Sequence, residues 1–194
     1  RVERGAFGAC LMGGPGLVAD CVAAMRAATA LPVTVKCRIG VDDSDEWDFL
    51  LAFVDAVAAA GSRTVVVHAR KAWLKGLSPK ENREVPPLRY EIVERLARER
   101  PALEIVVNGG ITTVAAALAH RRWAAGVMIG REAYQTPWSL RAFAAALQGP
   151  PAPLTRAEAV AAMAAHARRE AATGVPLRAV ARHMLGLFNG LPGA

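Results

Sequence analysis

Four apolar runs in this chain end on residues that a buried strand would not choose for packing. They end on Lys36, on His68, on Asn108 followed by Gly109 and Gly110, and on Gly130 followed by Arg131. Lysine and arginine attract oxyanions, and glycine lets backbone N–H groups approach an oxygen-rich ligand with no Cβ in the way. Asn108-Gly-Gly-Ile-Thr112 reads as one jaw of a phosphate cradle, with Thr112 placed to cap the helix that follows. Gly130-Arg131-Glu132 reads as a second jaw, in which Arg131 offers a bidentate, charge-assisted contact. A single histidine at a strand end is usually structural, but four polar endings in four consecutive runs point to a site.

A second group of residues lies between the second and third runs. The segment from His68 to Arg83 is long and basic for a connection, and it carries Trp73 together with Lys71, Lys75 and Lys80. Three of the four lysines of the chain fall in it. Phosphate tracking with base stacking is one reading of such a loop. A solvated loop whose Trp73 packs on the rim of the fold is the other. The arginines at 168, 169, 178 and 182 lie on helical segments and read as a solvated face.

The elements that must position these residues repeat four times as a short apolar run, a turn and a stretch of helical periodicity. The runs are Pro32-Val-Thr-Val-Lys36, Thr64-Val-Val-Val-His68, Glu104-Ile-Val-Val-Asn108 and Gly126-Val-Met-Ile-Gly130. Their nearly unbroken apolar character is that of parallel strands buried on both faces. Helical periodicity covers residues 17–28, 46–60, 90–99, 112–120 and 137–147. In parallel α/β architectures ligands bind at the carboxyl edge of the strands, where the polar endings fall. Four such units are half of an eight-unit barrel, and a doubly wound domain is the competing architecture. The expected fold class is therefore α/β, the C-terminal half of a (β/α)8 barrel. After the proline-rich joint at 149–153 the pattern becomes purely helical, over 155–173 and 177–188. The expected domains are a partial barrel over 1–148 and the start of a small all-helical domain over 149–194.

Composition narrows the function classes. The 194 residues are 53% hydrophobic and carry a formal net charge of +7, which points to an anionic partner such as nucleic acid or phosphate. No apolar stretch reaches the length of a membrane span. Cys10, Cys21 and Cys37 have no metal-ligand spacing and are odd in number, which fits a reducing cytoplasm and no metal site. The start at Arg1 without Met, and the end in Leu-Pro-Gly-Ala194, read as a piece of a longer protein.

Several segments together resemble the tRNA-dihydrouridine synthases of the A subfamily. They are Gly8-Ala-Cys-Leu-Met12, Pro32-Val-Thr-Val-Lys36, His68-Ala-Arg-Lys-Ala-Trp73, Gly76-Leu-Ser-Pro-Lys-Glu-Asn-Arg83, Asn108-Gly-Gly110, Gly130-Arg-Glu-Ala-Tyr134 and His183-Met-Leu-Gly-Leu-Phe188. The resemblance implies an FMN-containing barrel followed by a helical tRNA-binding domain. It implies NADPH-dependent reduction of D-loop uridine in tRNA, at position 20 and its neighbour. By motif, Lys36, His68, Asn108, Gly109, Gly110, Gly130 and Arg131 match flavin-binding positions, and Lys80 and Arg83 match tRNA contacts. The family's proton-donating cysteine belongs to an Asn-x-Gly-Cys-Pro segment that this alignment places before Arg1, so no catalytic residue is expected within the chain and Cys10 is expected to be a small buried thiol. Another flavin barrel acting on a small molecule, and a non-catalytic RNA-binding piece, are the alternatives.

Overall fold

The computed structural model describes residues 8–44 and 46–192. Arg1, Gly193 and Ala194, on which the reading as a piece of a longer protein leans, lie outside the described residues. The chain divides into two compact units. One runs to Gly110 and includes Ala119–Met128; the other comprises Ile111–Leu118 and the chain from Ile129 onward. The joint at 149–153 lies inside the second unit.

The first unit is built on four strands, β1 (Val35–Arg38), β2 (Thr64–His68), β3 (Glu104–Asn108) and β4 (Gly126–Met128). They form one parallel sheet in the order β1-β2-β3-β4, as expected for consecutive βα units. Helices α1 (Pro15–Ala28), α2 (Glu46–Ala59) and α3 (Tyr90–Glu99) belong to it. Val22 of α1, Leu50, Val54 and Val57 of α2, and Val93 and Leu96 of α3 are buried with Cys37, Val65, Val67, Ile105 and Val107 of the strands. Because side chains alternate along a strand, these buried strand residues share one face. The opposite face carries Lys36, Arg38, Val66, His68, Val106, Asn108, Gly126 and Met128 in direct register. It is less enclosed: Lys36 is exposed, and Val106, Asn108 and Met128 are half-buried.

The first strand differs from the expected one. Residues 32–34 have no partner on β2, which begins at Thr64, and pairing extends instead to Arg38. Beyond it the Ile39 N–H donates to Arg70 O and the Ala72 N–H to Gly40 O. Lys36 therefore sits inside β1, paired with Val66, and Arg38 takes the carboxyl end beside His68. In the alternation Val35-Lys36-Cys37-Arg38-Ile39, the buried Cys37 and Ile39 hold the strand to the core past the lysine.

The three thiols are free and differ in access: Cys21 is exposed, Cys10 half-buried and Cys37 buried. Cys10 therefore keeps more solvent contact than a buried thiol would, because it lies in a short 3-10 helix (Gly8–Gly13) whose buried residue is Met12. Burial pushes the Cys37 thiol up to about 12, with Lys36 acting weakly the other way. An acid with a raised folded pKa loses its stabilising contribution as pH rises from its unfolded value toward the folded one. Stability is thus expected to fall between about pH 9 and 12. An alkylating reagent at pH 8 is expected to modify Cys21 rapidly and Cys37 only in denaturant. Mass spectrometry of the native protein checks this, and rapid native labelling of Cys37 would contradict its burial.

The second unit contains the helices α5 (Arg131–Gln135), α6 (Leu140–Gln148), α7 (Arg156–Ala172) and α8 (Leu177–Ala181), after α4 (Val114–His120), which straddles the division. Thr155 and Glu158 form a reciprocal capping box at the start of α7. Thr113, not the expected Thr112, starts α4: its Oγ1 accepts from the Ala116 N–H at 3.2 Å. The helix expected over 177–188 breaks after Ala181 and resumes as a 3-10 turn, Leu185–Phe188. A Cβ on Gly186 would lie 2.0 Å from Gln135 O, so this backbone approach replaces helical continuity. Among the described residues no helix is long and apolar enough to cross a membrane.

Candidate functional site

Register brings three of the sequence-derived site residues onto one face. Arg38, His68, Asn108 and Met128 form a row across the carboxyl end of the sheet, and Lys36, Val66, Val106 and Gly126 form the row beneath. Lys36 is thus one row removed from His68 and Asn108. Its pKa is lowered, first by desolvation and then by the like charge of Arg38, two residues along the same face. Arg38 is half-buried and has its own pKa lowered by burial and by Arg70 and Arg83, although a guanidinium stays charged. The carboxyl end of the sheet therefore gathers cations whose mutual repulsion favours a bound anion.

The Asn108-Gly-Gly110 turn is explained first by its own packing. Gly109 and Gly110 have φ of +117° and +65°. A Cβ on Gly109 would meet His68 Cδ2 at 2.7 Å, and one on Gly110 would meet Leu88 Cδ1 at 2.6 Å. The Tyr90 hydroxyl donates to Gly109 O. Asn108 Nδ2 donates to Met128 O at 2.8 Å, tying β3 to β4. These contacts hold the turn in shape with His68, which is 8% exposed, against it.

Gly130 and Arg131 belong to the second unit. Gly130 (φ −113°) precedes the five-residue α5, and a Cβ there would meet open space.

The basic loop is ordered by its own polar atoms. Asn82 Oδ1 accepts from the Trp73 N–H at 2.7 Å, and its Nδ2 donates to Trp73 O at 2.7 Å. Ser78 and Glu81 exchange backbone-to-side-chain hydrogen bonds across the start of a short 3-10 helix, Glu81–Arg83. Lys71 turns inward, donating to Ser44 O at 2.7 Å, while Lys80 and Arg83 are exposed. Arg38, Trp73, Leu74, Leu77, Asn82 and Arg83 line a cleft of about 510 Å³. Arg38 and Asn82 are the residues that the sequence reading missed. For Arg38 the available signal was its two-residue spacing from Lys36, which puts both on one strand face. Among the described residues no cluster of three His, Cys, Asp or Glu could hold a metal ion.

Comparison with known proteins matches residues 1–194 to the family described as Dihydrouridine synthase (Dus). The chain is 58% identical over 193 residues to the tRNA-dihydrouridine(20/20a) synthase of Xanthomonas campestris pv. campestris, covering 100% of this chain and 57% of that protein. It is 57% identical over 194 residues to the protein of the same name from Xanthomonas axonopodis pv. citri, covering 100% and 58%. With that of Shewanella oneidensis the identity is 50% over 195 residues, covering 100% and 58%. The chain thus spans between half and two thirds of the length of these relatives.

Proposed function

Because the chain belongs to the dihydrouridine synthase family, we propose that it is the flavin- and tRNA-binding part of an enzyme that reduces uridine to 5,6-dihydrouridine in the D-loop of tRNA. The uridines are those at position 20 and its neighbour, the cofactor is FMN, the reductant is NADPH, and the location is the cytoplasm. In this reading residues 1–148 hold the flavin and meet the tRNA through Lys80 and Arg83, and residues 149–194 serve tRNA. The observation that carries it is the shared, less enclosed sheet face that holds His68 and Asn108 at the carboxyl end and Lys36 one row beneath them.

The donor set fits a flavin mononucleotide, which has a phosphate and an electron-poor ring bearing carbonyl oxygens. Such a group supplies hydride chemistry to the pyrimidine when bound. Lys36 would supply a cation for the flavin's carbonyl oxygens, and His68 and the Asn108-Gly109-Gly110 turn would supply fixed polar groups to hold it. For Gly130 and Arg131 a phosphate-binding role is proposed from the sequence alone. Cys10 has no part in the chemistry.

The test uses the full-length protein. It is expected to purify with FMN released on denaturation, and to form dihydrouridine in unmodified tRNA with NADPH. A folded full-length protein without flavin, or one that reduces free uridine nucleotides as fast as tRNA, would overturn the reading.

Lys80 and Arg83 are proposed as phosphate contacts of the tRNA. Lys80→Ala with Arg83→Ala is expected to weaken tRNA binding at least tenfold and to lower the slope of log K against log salt by roughly 1.5, at about 0.7–0.9 per contact. Flavin content should stay intact. Unchanged affinity and slope would leave the loop with a purely structural role.

A further inference from the structure

We propose that Arg38 is a positioning residue, which clamps the basic loop to the carboxyl end of β1 and thereby fixes Lys80 and Arg83 in place. The inference rests on the tRNA reading of that loop. One guanidinium nitrogen of Arg38, Nη1, donates to Lys71 O at 2.9 Å and to Asn82 O at 2.8 Å. These carbonyls lie on the two stems of the loop, so a single nitrogen on the sheet closes it. Both N–H bonds of that nitrogen are used in the clamp.

Asn82 completes the closure from within. Its backbone carbonyl takes the Arg38 bond, while its side chain joins both backbone groups of Trp73 and donates to Leu77 O at 3.3 Å. The Leu74 N–H donates to Asp42 Oδ1 at 2.8 Å, a second tie to the chain just beyond β1. Lys80 and Arg83 lie two residues before and one residue after Asn82, on the segment so held. A loop ordered in advance does not lose that conformational freedom again on meeting a polyanion.

Two substitutions in the full-length protein loosen the held loop without changing net charge, one at the Arg38 clamp and one at the Asn82 side-chain ties within the loop. Arg38→Lys keeps the cation but replaces the planar fork with a single ammonium of different reach. Asn82→Ala removes the ties to Trp73 and Leu77. Each is expected to weaken tRNA binding about tenfold, the scale of a lost hydrogen bond to a charged group for Arg38→Lys and of two or three lost neutral ones for Asn82→Ala, and to speed tryptic cleavage after Lys75 and Lys80 while flavin is retained. On the Lys80→Ala, Arg83→Ala background, neither should cause a comparable further loss, since the contacts that the clamp positions are already gone. Wild-type affinity in both clamp variants, or losses that add fully on that background, would overturn the proposal. If the Lys80→Ala, Arg83→Ala protein itself binds tRNA like wild type, the underlying reading fails and the proposal with it, a result distinct from failure of the clamp alone.

Discussion

Gly109→Ala is expected to destabilise the protein by about 2–6 kcal/mol, combining backbone strain of about 1–3 kcal/mol with a similar overpacking penalty. At φ +117° an L-residue is strained whatever space surrounds it. Here there is no space, because the added methyl would meet His68 Cδ2 at 2.7 Å and Leu88 Cδ2 at 2.9 Å. His68 is buried, so it can yield only by shifting within the row it shares with Arg38 and Asn108. A drop in Tm of roughly 4–24 °C follows for a chain of this size. Flavin content of the full-length variant should fall with it. Gly130→Ala is the contrast, since its φ is −113° and a Cβ there would meet nothing within 4 Å. Thermal unfolding should place that variant within about 0.5 kcal/mol of wild type. A Gly109→Ala protein as stable as wild type would mean that the turn does not pack on His68 as described.

Lys36→Met is expected to act in opposite directions on stability and on flavin binding. Lys36 is exposed on an edge strand, yet desolvation is the main cause of its lowered pKa, and Arg38 on the same face adds repulsion. A base whose folded pKa is depressed destabilises the fold at pH values where it is charged, and that effect disappears as pH rises through the lowered value toward the ordinary 10.5. Methionine has a similar stem and no charge, so the flavin-free variant should unfold at a higher temperature at pH 7, with the advantage shrinking as pH rises toward 10.5. FMN affinity, measured by quenching of flavin fluorescence, should fall tenfold or more if Lys36 is the cation proposed above for the ring's oxygens. A variant that is less stable and binds FMN normally would remove Lys36 from the site.

These two residues also show what was legible beforehand. His68 and Asn108 were correctly read as strand ends because β2 and β3 are apolar runs between sharp stops, with Gly61 before one and Gly109 after the other. Lys36 was misplaced because the apolar run at 32–35 starts ahead of any partner strand, and partnership rather than composition sets where a strand begins. Periodicity ran through Gly186, whose close approach to Gln135 is a long-range fact. Arg38 and Asn82 escaped because their roles are to satisfy distant backbone carbonyls and amides, and a sequence does not show which carbonyls a loop leaves without partners. The Gly109-Gly110 pair was found for a reason that the structure supplements: backbone angles and the packing of Leu88 and His68 already require glycine there.

Spatial order in the sheet equals chain order, β1-β2-β3-β4. During synthesis each of β2, β3 and β4 therefore finds its neighbour already made, and pairing proceeds vectorially, one crossover at a time. The connection between β2 and α3, from Ala69 to Arg89, is far longer than the usual four to six residues. Closure entropy grows only by about 0.6 kcal/mol for each doubling of length, so the excess adds roughly 1 kcal/mol to joining β2 with β3. Evolution can lengthen and recharge that one connection into a recognition surface with little effect on the assembly of the sheet beneath it.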